Sequence, residues 1–221
     1  MTDLVTAGRN GLPGLAYPEH YLHELSLELT GRFEGTFNAE TVDRYVLESY
    51  TALLRTAKVK THLANRVIHF ASDRLAALAQ AKGALPHDVP EVLFVCEQNA
   101  GTSQMAAVLM HDLAGDRVHV RSAGSKPADE LDPAVMVALS ELGLDPSREF
   151  PKPLTDDVVQ AADVVVTMGC RDACPIYPGK RYLDWKLDDP EQLSLEDVRR
   201  VRDEIRSHVE ELLTTLEVAR T

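Results

Sequence analysis

Residues 92–105 read VLFVCEQNAGTSQM, and this stretch joins a short apolar run to a helical pattern through a loop. The consecutive apolar residues at 92–95 predict a strand that is buried on both faces of a sheet. The loop at 96–102 starts with Cys96, and a helix is predicted over 103–114. Because ligands bind at the carboxyl ends of strands in an open parallel sheet, the sequence predicts a binding site around Cys96.

The loop after this strand favours a thiolate nucleophile. A helix N-terminus offers unpaired N–H groups and a partial positive charge, which bind oxyanions and stabilise a thiolate. Asn99 tolerates the left-handed backbone conformation that would tighten the loop, and Ser103 can donate a hydrogen bond to the sulfur. We therefore predict that Cys96 is a nucleophile; the alternative is a cysteine buried in a strand for packing alone.

The same alternation of strands and helices continues to the C-terminus. Further strands are predicted at 118–120, 164–168 and 180–185, and helices at 132–143, at 155–162 and from Ser194 onward, where Asp197 holds a capping-box position. This order predicts an α/β fold with an open parallel sheet flanked by helices.

A different pattern precedes the sheet. Amphipathic helices are predicted over about 18–34, 39–57 and 62–82, and short loops join them into a small three-helix bundle. We expect a flexible tail at 1–17, a three-helix domain at 18–83, a linker at 84–90 and the α/β domain at 91–221.

Composition excludes several classes of function. The chain of 221 residues has a net charge of −12 and 5% aromatic residues, so we expect it to bind neither nucleic acid nor a membrane surface. It has no apolar run long enough to span a membrane and no secretory signal pattern, which indicates a cytoplasmic protein. The eight histidines show no ligand spacing, and no metal site is predicted.

Two more cysteines are placed near the same edge of the sheet. Cys170 and Cys174 follow the strand predicted at 164–168, and thiols four residues apart can reach disulfide distance. This spacing is compatible with catalysis, with metal binding and with incidental burial. Asp188 and Asp189 precede Pro190 after the last predicted strand; they are either a general acid or solvated residues of a turn.

From Glu91 to the C-terminus the chain resembles the low-molecular-weight tyrosine phosphatases, in their arsenate reductase branch. The resemblance is carried by several stretches: VLFVC at 92–96, NAG at 99–101 with SQMAA at 103–107, RSAGS at 121–125, FPKPLTD at 150–156, MGC at 168–170, DACP at 172–175, PGKRY at 178–182, Asp189 with Pro190, and RDEI at 202–205. The preceding helices resemble the three-helix extension of actinobacterial arsenate reductases.

The resemblance implies a relay of thiols with no bound cofactor. Cys96 would attack arsenate, Cys170 would attack Cys96 and release arsenite, and Cys174 would then form a disulfide with Cys170. Thioredoxin or a related thiol donor would reduce that disulfide. Asp189 would protonate the leaving oxygen. The substrate would bind in the loop, whose residues are Glu97, Gln98, Asn99, Ala100, Gly101, Thr102 and Ser103.

The loop departs from the family pattern, which reads Cys, five residues and then Arg. Here Thr102 occupies the arginine position, and Glu97 stands where an apolar residue is common. Together these exchanges make the loop about two charge units more negative. Loss of one buried, charge-assisted contact typically costs about 2–5 kcal/mol, so a doubly charged oxyanion should bind worse. Arg171 is a candidate to compensate in part.

The sequence leaves alternatives beside an arsenate reductase. A less charged organoarsenical or metalloid acid would suit the more negative loop. A thiol cluster could instead bind trivalent arsenic or a soft metal without turnover. A tyrosine phosphatase is the least favoured, because the arginine is absent and the Cys170 and Cys174 pair is extra. The generous apolar stripes of the N-terminal helices also suggest a homodimer.

Overall fold

The computed structural model describes residues 18–57, 62–169 and 174–218. Contacts divide the chain into two compact units, one ending at Ala71 and the other starting at Ser72. No helix in the described residues combines the length and the apolar character that crossing a membrane requires. The tail predicted at 1–17 lies outside the described residues.

The first unit is helical, as predicted. It contains α1 (Pro18–Arg32), α2 (Ala39–Thr56) and residues 63–71 of α3 (Leu63–Ala81). Asn38 caps α2, because its side-chain oxygen accepts a hydrogen bond from the N–H of Thr41 at 2.9 Å.

A parallel sheet forms the centre of the second unit. Its strands are β1 (Glu91–Cys96), β2 (His119–Gly124), β3 (Val164–Met168) and β4 (Arg181–Asp184), in the order β2-β1-β3-β4. All the strand pairs are parallel, which confirms the predicted fold class. β2 extends further than predicted, because tertiary pairing with β1 continues as far as Gly124 opposite Cys96.

Helices cover both faces of the sheet. One face packs under α4 (Thr102–Ala114), α5 (Pro133–Ser140) and α7 (Leu195–Val218), and α6 (Asp156–Ala161) lies on the other. Val92, Phe94 and Cys96 of β1 belong to the first core, and Leu93 and Val95 belong to the second. This alternation places Cys96 on the α4 side of the sheet.

The second half of α3 belongs with the sheet rather than with the first unit. Ala77 is buried against the core that contains Leu93 and Val95. The boundary between the two compact units therefore lies inside α3. The predicted linker at 84–90 contains neither helix nor strand. The domain boundaries given by the sequence stay a prediction.

A buried ion pair joins α3 to α6. Arg74 donates from Nε to Oδ2 of Asp157 at 3.2 Å, and the two side chains are only 8% and 7% exposed. Burial of two charges is tolerated here because they lie in hydrogen-bonding contact.

Substitution of Asp157 should destabilise this unit strongly. Asp157→Ala removes one of the buried charges that balance Arg74, and we expect the free energy of unfolding to fall by about 3–5 kcal/mol. The double variant Arg74→Met with Asp157→Leu should recover most of that loss, because both charges are gone. Urea denaturation followed by circular dichroism measures both.

The matched control is the exposed pair of Arg206 and Glu210 on α7. Glu210→Ala should cost at most about 1 kcal/mol, since exposed pairs contribute little. If Asp157→Ala cost no more than Glu210→Ala, the buried pair would not stabilise the packing of α3 on α6.

Candidate active site

The loop between β1 and α4 is held from one side by the segment that follows β2. Its carbonyl groups accept hydrogen bonds from backbone N–H groups of that segment, in four pairs: Cys96 with Ser125 (3.2 Å), Glu97 with Lys126 (2.8 Å), Gln98 with Ala128 (2.9 Å) and Ala100 with Asp132 (3.0 Å). A trans peptide points its C=O and N–H in opposite directions. The loop N–H groups therefore face away from residues 125–132.

The sulfur of Cys96 lies on the side to which the N–H of Asn99 points. The N–H of Asn99 donates to Cys96 Sγ at 3.1 Å, and the hydroxyl of Ser103 lies 2.9 Å from the same sulfur. Asn99 has a φ of +50°, which is the left-handed conformation predicted for it. The loop thus presents donors to a sulfur at the N-terminus of α4, an arrangement that stabilises negative charge.

Hydrogen bonds fix the orientation of the Asn99 side-chain amide. Asn99 Oδ1 accepts from the N–H of Lys152 at 2.8 Å and from Gln104 Nε2 at 3.1 Å, so its Nδ2 must be the atom that donates to Ser103 Oγ at 2.8 Å. Because Ser103 Oγ already accepts a proton, its own hydrogen is free to point at Cys96 Sγ. Ser103 is thereby prepared to donate to a thiolate.

Two glycines allow close approach around the loop. A Cβ on Gly124 would lie 2.8 Å from the carbonyl oxygen of Glu97 and 2.9 Å from Asn99, and one on Gly101 would lie 2.5 Å from Pro190. A side chain at either position would push β2 or the Pro190 segment away from the loop.

A pocket of about 280 Å³ opens in front of the sulfur. Its walls include seven of the residues predicted for the site: Cys96, Glu97, Gln98, Ala100, Gly101, Thr102 and Asp189. Asn99 and Ser103 are buried behind the loop and act on Cys96 through the hydrogen bonds described above. Asp189 is exposed, and its Oδ1 accepts from the N–H of Glu191 at 3.1 Å.

The pocket is acidic. Five carboxylates line it: Glu97, Glu130, Asp132, Asp189 and Glu191. No lysine, arginine or histidine of the described residues does so. Lys126 Nζ donates to Glu97 Oε1 at 2.8 Å, and the side chain is 79% exposed. This hydrogen bond to the carboxylate raises the pKa of Lys126. Glu191 accepts a hydrogen bond from Gln98 at 2.6 Å, which joins the Asp189 segment to the loop.

Cys174 lies on the other face of the sheet. It is free and buried in the core that contains Leu93 and Val95, whereas Cys96 belongs to the core under α4. Burial raises the pKa of the Cys174 thiol. Cys170 falls outside the described residues, so the structure does not address its predicted place near Cys96.

Tyr182 of β4 holds the residues after Cys174. Its hydroxyl donates to the carbonyl of Pro175 at 3.1 Å and accepts from the N–H of Tyr177 at 2.9 Å. Sequence patterning indicates only packing or a pocket wall for Tyr182. Patterning also gives no role to Gln104 or Lys152, because their contacts with Phe150 and Asn99 span 46 and 53 residues and leave no periodic signal.

Comparison with known proteins matches both parts of the chain to family models. Residues 91–221 match the low molecular weight phosphotyrosine protein phosphatase family, and residues 22–79 match the protein-tyrosine-phosphatase-like N-terminal domain. The matches leave residues 80–90 between them, a range that includes the predicted linker.

Solved and curated relatives fall in one branch of this family. The thioredoxin-dependent arsenate reductase of Corynebacterium glutamicum is 48% identical, with a TM-score of 0.82 over 90% of this chain and 98% of that chain. Arsenate reductase 1 of Staphylococcus epidermidis is 34% identical over 54% of this chain and 92% of its own length. The glutaredoxin arsenate reductase of Synechocystis is 30% identical over 57% of this chain and 98% of its own length.

The family models span both parts of the chain, and the likeness to the Corynebacterium structure runs through the N-terminal helices and the sheet alike. This chain therefore belongs to the low molecular weight phosphotyrosine protein phosphatase family, in its arsenate reductase branch with an N-terminal helical domain.

Proposed function

We propose that this protein reduces arsenate to arsenite with electrons from its own thiols. The observation that carries the proposal is the placement of Cys96 Sγ, which faces a pocket, accepts from the N–H of Asn99 and lies 2.9 Å from the hydroxyl of Ser103. The 48% identity to a thioredoxin-dependent arsenate reductase over 90% of the chain supports arsenate as the substrate.

In the first step Cys96 attacks the arsenic atom. An S–As bond forms, and one arsenic-bound oxygen leaves as water after taking a proton. Asp189 lines the same pocket and is proposed to supply that proton. The N–H groups of the loop stabilise the negative charge that develops on the remaining oxygens.

The second step transfers the electron pair. The thiol of Cys170 attacks Cys96 Sγ, so that an S–S bond forms while the S–As bond breaks and leaves its electrons on arsenic. Over both steps two thiols and one arsenate give one disulfide, one arsenite and one water. Cys174 then attacks Cys170, which frees Cys96 for another cycle.

The position of Cys174 constrains this last exchange. It is buried on the face of the sheet opposite Cys96, and Tyr182 anchors the residues that follow it. Cys174 must therefore leave its apolar packing before it can react. We propose that a dithiol donor such as thioredoxin closes the cycle; a glutaredoxin is the alternative indicated by the Synechocystis relative.

Two further expectations from the sequence are also proposals. A thiol relay that needs a reduced donor suits the cytoplasm. Leu27 and Leu47 of the N-terminal helices are 60% and 48% exposed, which fits the expected homodimer through this unit.

The relay predicts different defects for the cysteine variants. Cys96→Ser should abolish arsenite formation, whereas Cys174→Ser should still release about one arsenite per chain and then stop, because Cys170 can attack Cys96 but the product disulfide is not passed on. Arsenite release measured without and with thioredoxin, thioredoxin reductase and NADPH separates these cases. Sustained turnover by Cys174→Ser would contradict the relay.

The hydroxyl of Ser103 should control the reactivity of Cys96. Ser103→Ala removes a donor to the sulfur, and we expect iodoacetamide to modify Cys96 about 10-fold more slowly at neutral pH, in keeping with the strength of a hydrogen bond to a charged group. Ser122→Ala is the matched control, since Ser122 is also buried, at 5% exposure, on the neighbouring strand. Mass spectrometry of the labelled peptides measures both. Equal slowing in the two variants would point to a general change in packing.

The reactivity of Cys174 should depend on folding and pH. Because burial raises the pKa of this thiol, it stays protonated to a higher pH in the folded chain than an exposed thiol does. We expect the labelling of Cys174 to begin at higher pH than in the urea-unfolded chain. Identical pH profiles in the two states would show that burial does not protect this sulfur.

A further inference from the structure

We propose that the pocket binds pentavalent arsenic acids that carry a single negative charge, including arsonic acids with one As–C bond, and that it discriminates against dianions. This inference rests on the proposed function and specifies which form of substrate the site takes. Monoanionic arsenate and methylarsonate belong to the favoured class; dianionic arsenate and sulfate do not.

The charges around Cys96 carry the argument. Five carboxylates line the pocket, and the described residues put no cationic side chain against it. The N-terminus of α4 contributes about half a positive charge and hydrogen-bond donors, which stabilise one negative charge but do not offset several carboxylates. Each added charge on the ligand therefore increases repulsion, which water and salt screen only in part.

The neighbouring cation does not change this balance. Lys126 is already paired with Glu97 and stands mostly in solvent, where an ion pair contributes little. Among the described residues, no group of three or more histidine, cysteine, aspartate or glutamate side chains is arranged to hold a metal ion.

Thr102 is the reason that the loop lacks the positive charge of the family's arginine. It is the first residue of α4, is 6% exposed and lines the pocket, where its short neutral side chain can offer only one hydroxyl. An arginine at this place would bring a fixed positive charge and a planar pair of donors toward the oxygens of the ligand.

The remaining walls suit a carbon substituent. The larger apolar side chains that line the pocket are those of Leu131, Pro133, Met168, Leu187 and Pro190. A methyl group on arsenic would contact such a surface favourably while removing one ionisable oxygen. Reduction of methylarsonate balances as it does for arsenate: two thiols and one methylarsonic acid give one disulfide, one methylarsonous acid and one water.

Ligand binding separates this inference from turnover. Calorimetric titration of Cys96→Ser with sulfate, a dianion throughout the neutral range, and with methylarsonate, a monoanion there, measures the charge preference directly. We expect methylarsonate to bind and sulfate not to bind. Adding Thr102→Arg should strengthen sulfate binding by about 30-fold or more. Thr102→Gln, which is long but neutral, controls for size.

The pH dependence of kcat/KM tests the same charge preference by a second route. Above the second ionisation of arsenate, kcat/KM of the parent should fall about tenfold per pH unit relative to Thr102→Arg, following the monoanion fraction. Dividing kcat/KM of the parent by kcat/KM of Thr102→Arg cancels the pH dependence of the thiols that both proteins contain. Arg171→Gln should show the same pH dependence of this ratio as the parent.

The outcomes are distinct. Sulfate that binds Cys96→Ser as tightly as methylarsonate would overturn the inference and leave arsenate reduction standing. The inference would also be overturned if kcat/KM of the parent and of Thr102→Arg had the same pH dependence. A change in the pH dependence of the parent on Arg171→Gln substitution would overturn it as well. If methylarsonate bound and sulfate did not, but the protein turned over no arsenic acid, the charge preference would be supported and the proposed function refuted.

Discussion

The candidate site depends on the orientation of one buried amide, that of Asn99. Its oxygen accepts from Lys152 N–H and from the side chain of Gln104, and its nitrogen donates to Ser103. The same residue adopts a left-handed backbone and turns its own N–H toward Cys96 Sγ. Since a buried amide with unmet hydrogen bonds is costly, these contacts lock the loop into a single arrangement.

The sheet makes this arrangement possible by bringing remote segments to the loop. Parallel pairing places Gly124 beside Cys96, and the chain after Gly124 then binds the carbonyl groups of the loop. The absence of a side chain at Gly124 is what lets β2 approach so closely. The N–H of Asn99 is turned toward the sulfur because the carbonyl of the same peptide, that of Gln98, is bound on the opposite side.

The sheet also separates the thiols. Cys96 ends a strand whose side chains alternate between two cores, and Cys174 is buried in the other one. A disulfide relay through these residues therefore requires rearrangement on the side of Cys174, whereas Cys96 already faces the pocket. A loop with backbone donors for an oxyanion is combined here with an acidic lining. Backbone donors and side-chain charge therefore act in opposite directions on an anion.

The sequence by itself determined the order and type of the elements, because the apolar run of β1 and the helical periodicity are local signals. It also indicated Cys96, the left-handed Asn99 and the exchange at Thr102, since these lie within one continuous loop. Only the tertiary structure decided the roles of Gln104, Lys152 and Tyr182, the side of the sheet on which Cys174 is buried, and the gathering of five carboxylates around one pocket. These features arise between residues that are distant along the chain, and neither propensity nor periodicity carries information about such contacts.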